Sequence, residues 1–114
     1  MINIISFCNK WIQKFSDDRT TEYQVFEDMS FSHGCGEFGW EIDQGVSFKE
    51  RYPCNSYEDA LIYLPQVTEI HLLGNLLFSR WRYYNHWGFP GESGLSQKEW
   101  FINILTRIRE LADI

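Results

Sequence analysis

An α+β fold is the class this sequence predicts: an N-terminal helix, a three-stranded antiparallel meander, then three helices packed on one face of the sheet. Two observations carry it. Apolar residues recur at helical spacing near both ends of the chain, and between them they alternate with polar residues at period two. At 114 residues the chain is expected to form one domain over 1–114. A chain of that length can bury roughly 65% of its unfolded surface, enough to fold without staples.

Ile4, Ile5, Cys8, Trp11, Ile12 and Phe15 share one helical face, with Asn9, Lys10, Gln13 and Lys14 opposite, so an amphipathic helix is expected to end near Ser16. Two lysines are too few to favour membrane attachment, and packing on the domain is the expected role. Asp17 to Thr21 reads as a polar turn. Met29 and Phe31 alternate with Ser30 and Ser32. Phe38, Trp40 and Ile42 alternate with Gly39, Glu41 and Asp43, and Val46, Phe48 and Tyr52 lie on alternate positions of a third run. A three-residue loop, Asp43-Gln44-Gly45, would pair Ile42 with Val46 and Trp40 with Phe48, leaving Glu41 and Asp43 beside Lys49 and Arg51 on the outer face.

Pro53 is expected to end the sheet, and Ser56 with Asp59 resembles a cap for a short helix, Tyr57 to Leu64, stopped by Pro65. The long segment Thr68 to Trp87 reads as a single helix that is apolar around most of its circumference. Ile70, Leu73, Leu77, Trp81 and Tyr84 define one face; Leu72, Leu76, Tyr83 and Trp87 widen it on one side and Phe78 on the other. A connector rich in Gly and Pro, Gly88 to Gly94, leads to a capping box at Ser96-Gln-Lys-Glu99. The last helix then has Phe101, Ile104, Leu105, Ile108 and Leu111 as its buried stripe.

The net charge is −6, and all of it belongs to residues 1–66, where eleven acidic side chains face five basic ones; the remainder is balanced, five against five. An acidic surface argues against binding a phosphate backbone and suits a basic protein partner. Nine Phe, six Tyr and five Trp make the chain rich in aromatics, some of which must reach the surface in a domain this small. Cys8, Cys35 and Cys54 are odd in number and lack CxxC spacing, which does not look like a secreted disulfide framework. The N-terminal segment has no continuous apolar core or cleavage site of a signal peptide, and no apolar run is long enough to span a bilayer. A cytoplasmic protein with free thiols is the expectation.

Candidate chemistry is sparse. The long helix carries a narrow polar stripe of Thr68, His71, Asn75, Ser79, Arg82 and His86, of which His71 to His86 span about 23 Å of helix axis. As a groove it would offer an anion site at Arg82 and a proton carrier at His86, whose pKa the guanidinium would depress. Glu37 or Glu41 would then have to orient His86 from the sheet. His71, Ser79, Arg82 and His86 are thus the catalytic candidates of a small-ligand-binding protein or hydrolase. Gly34-Cys-Gly-Glu-Phe-Gly39 spells GxGxxG, but alternation continues after it, so turn chemistry is expected rather than a nucleotide site. His33, Cys35, Cys54 and a histidine of the long helix could assemble a zinc set, yet the spacing matches no compact motif, and no metal or cofactor is assigned. A Cys35–His86 nucleophile pair has no more support. Alternating Arg and aromatic residues over Trp81 to Trp87 could stack on bases, but the helical wheel sends most of these rings inward; Trp87 and Phe89 are expected partly exposed.

The segment LGNLLFSRWRYYNHW with the later KEWFINILTRI, from Leu73 onward, resembles small uncharacterised bacterial and phage-encoded proteins. That resemblance implies a prokaryotic or viral accessory protein and brings no catalytic residue. Taken with the charge, the sequence predicts a binding or inhibitor protein of the immunity or anti-defence type rather than an enzyme. Glu37, Glu41, Asp43, Trp87 and Phe89 are its expected contact residues, with Glu27 and Asp28 beside them. The exposed aromatics leave room for a homo-oligomer.

Overall fold

The computed structural model describes residues 3–17, 19, 28–41, 48–54, 57–87 and 97–113, with the backbone alone at 84–87 and 97. Among the described residues six α-helices run in order: α1 (Ile4–Ser16), α2 (Met29–Glu37), α3 (Phe48–Arg51), α4 (Tyr57–Ala60), α5 (Ile70–Trp87) and α6 (Gln97–Ala112). A 3-10 turn, Leu61–Gln66, continues directly from α4. There is no strand among the described residues, so the fold is all-α and the expected meander is overturned. Its first run is α2, its second opens in the turn after α2, and its third contains α3; Ile42 to Ser47, including Asp43 and the supposed hairpin loop, lies outside the described residues.

The physical reason is visible in α2. Asp28 accepts from Ser30 N–H at 3.0 Å and so caps the helix. Phe31, Gly34 and Cys35, at i, i+3 and i+4, are the residues it buries. The four-residue alternation of Met29 to Ser32 was too short to override that spacing. The helix ends in a Schellman motif: Trp40 N–H donates to Cys35 O and Gly39 N–H to Gly36 O, both at 3.0 Å, with Gly39 at φ +74°. Such a φ favours glycine, which explains the third glycine of GxGxxG.

The helices expected near Ile4–Ser16, Thr68–Trp87 and after Ser96 are present, whereas the one expected at Tyr57 to Leu64 is only partly so and its Ser56 cap lies outside the described residues. α1 ends at Ser16 as expected, capped at its start by Asn3, whose side chain accepts from Ile5 N–H at 2.8 Å. The short helix after Pro53 tightens to 3-10 geometry at Leu61, and Pro65 sits inside that turn instead of stopping it. α5 and α6 occupy the two expected segments; Ser96 and the connector Gly88 to Gly94 lie outside the described residues.

α1 and α6 form the most extensive helix pair, α5 lies against α6, and α2 and α3 rest on α5. The core between them is aromatic. Trp11 meets Phe31 edge to face at 5.0 Å, Phe15 stacks on Phe101 at 5.1 Å, and Phe31 reaches Trp81 at 6.1 Å. Two glycines allow these elements to approach so closely. A Cβ on Gly34 would lie 2.4 Å from the Phe7 ring, and one on Gly74 would lie 2.2 Å from Trp40. Polar ties fasten the periphery: Lys98 Nζ donates to Asp17 O at 3.1 Å, Arg109 to Asn9 at 2.9 Å, and Arg107 to Val67 O at 2.9 Å. Arg51 pairs with Glu69. No helix among the described residues is long and apolar enough to cross a membrane.

Candidate functional site

The acidic end of α2 is the best-defined feature among the expected contact residues. Glu37 closes the helix and Glu41 follows the Schellman turn; both side chains are exposed. The Glu41 carboxylate folds back over Gly36, where a Cβ would stand 2.6 Å from its Oε2, so the glycine makes room for the charge. Among the described residues neither carboxylate has an ion-pair partner. The C-terminus of a helix already carries partial negative charge, and no basic residue occupies the last turn of α2 to offset it. Two carboxylates are thus held where the fold itself disfavours them.

Asp28, at the opposite end of α2, is committed elsewhere. Its Oδ2 pairs with Lys14 Nζ at 2.9 Å. Hydrogen bonds from the Ser30 hydroxyl and Lys14 hold its carboxyl at about 2, below the ordinary 3.8. Asp43, Glu27 and Phe89 lie outside the described residues, and Trp87 is placed by its backbone on the last turn of α5.

The polar stripe of α5 is partly absorbed by the fold. Asn75 Nδ2 donates to Trp40 O at 3.0 Å, which ties the Schellman turn to α5 one residue from Gly74. Ser79 Oγ shares a hydrogen bond with Tyr57 Oη at 3.0 Å. His71 is half-buried, and Thr68 and Arg82 are exposed; His86 is placed on α5 by its backbone. The zinc candidates separate for a simple reason. Two residues apart on a helix means opposite faces, so His33 is exposed while Cys35 is buried. No group of three His, Cys, Asp or Glu side chains among the described residues converges as a metal requires. Burial, then the Glu41 charge, pushes the Cys35 thiol up, away from nucleophilic character.

One residue escaped the reading of the sequence. Arg80 is 3% exposed, its guanidinium lying 4.5 Å from the Trp100 ring centre and 5.1 Å from that of Tyr57, with Nη2 donating to Glu58 Oε1 at 3.2 Å. Trp100 Nε1 donates to Tyr57 O at 2.7 Å and holds the two rings around the cation. The signal was present: position 80 follows Leu73, Leu76 and Leu77 by seven, four and three, inside the apolar arc.

No protein-family model, curated protein or solved structure matches this chain.

Proposed function

We propose that the protein is a small acidic binding protein that engages a basic protein partner, in the manner of an immunity or anti-defence inhibitor covering a nuclease or toxin site. The observation that supports this most is the pair of exposed carboxylates, Glu37 and Glu41, without ion-pair partners among the described residues at the C-terminal end of α2. Charges held against the helix dipole reduce stability, and a basic partner would relieve that. Residues 1–66 carry eleven acidic side chains against five basic ones, a surplus that suits a basic partner. A ligand-binding or hydrolytic role for the α5 stripe has less support, because Asn75 and Ser79 already hold folding contacts.

The test is capture on the immobilised protein from a lysate of the organism that encodes it, followed by titration of the purified pair. The expected result is one stoichiometric basic protein, released by salt. The double reversal Glu37→Lys, Glu41→Lys is expected to slow association about tenfold or more while leaving the circular dichroism unchanged. An affinity that salt and both reversals leave untouched would sink the proposal.

A further inference from the structure

We draw no further inference here: the strongest candidate, the open cleft beside the 3-10 turn lined by Lys49, Pro53, Cys54, Asp59, Ile62 and Tyr63, carries none because nothing in the structure shows what covers it.

Discussion

Arg80 sits between Trp100 and Tyr57 with its charge almost wholly removed from water, and what it contributes depends on what replaces it. Desolvating a guanidinium costs several kcal/mol, which the Glu58 carboxylate and the two ring faces offset. Glu58 itself keeps 35% of its side chain in solvent, so it tolerates the loss of its mate better than Arg80 would. Arg80→Ala leaves a cavity between two rings and is expected to cost about 3 kcal/mol. Arg80→Met fills the same space without a charge to desolvate and is expected to stay within about 1 kcal/mol of the wild type. Urea denaturation of the two variants measures both; equal losses would show that the site needs the charge rather than the volume. The same residue marks how legible the candidate site was. A lone cation in an apolar arc is readable from spacing alone. That Asn75 and Ser79 would be occupied by Trp40 and Tyr57 was not, because their partners are 35 and 22 residues away.

The helices with long apolar faces were legible because their pattern repeats over several turns, and α1, α5 and α6 need no tertiary information to be located. α2 was not, since its nine residues hold two internal glycines and a stretch in which Ser alternates with Met and Phe. Its identity lies in its ends: an Asp cap, a glycine at the Schellman position, and packing of Gly34 on Phe7 that no local pattern records. The N-terminal cap can be tested by titration. Hydrogen bonds from the Ser30 hydroxyl and Lys14 hold the Asp28 carboxyl at about 2 in the fold, below the ordinary 3.8, so the folded state favours its ionised form. A depressed carboxylate contributes stability that is fully present above the unfolded value and disappears as pH falls from about 4 to about 2. Asp28→Asn keeps an oxygen for the Ser30 N–H but removes the charge that meets Lys14. Thermal midpoints of the wild type should therefore exceed those of Asp28→Asn at pH 5 to 7, and the gap should close over that acid window. A gap that persists at pH 2 would mean the carboxylate acts through its shape alone.

For the molecule as a whole, the three cysteines report how tightly the helices close around one another. Cys8 on α1 and Cys35 on α2 are both fully buried in the same core, while Cys54 is half-buried beside the cleft. Burial pushes the Cys8 thiol up to about 12, the Arg109 charge opposing only weakly, and burial raises Cys35 too. Burial and then the Asp59 charge also raise Cys54, with Lys49 pulling the other way, so its reaction is slow rather than blocked. At pH 8 iodoacetamide is therefore expected to modify Cys54 alone in the native protein, as read by mass spectrometry, and all three after denaturation. Because α1 packs on α6 and α2 on α5, Cys8 and Cys35 can be exposed only when those layers part. Their labelling rates should then follow global unfolding, rising together with urea in proportion to the unfolded fraction. If Cys35 were modified well before Cys8, the α2 layer would open on its own. The acidic end of α2, with Glu37 and Glu41, would then be a surface that can reshape to meet a partner; equal rates would make it a rigid one, presented by a core that opens as a unit.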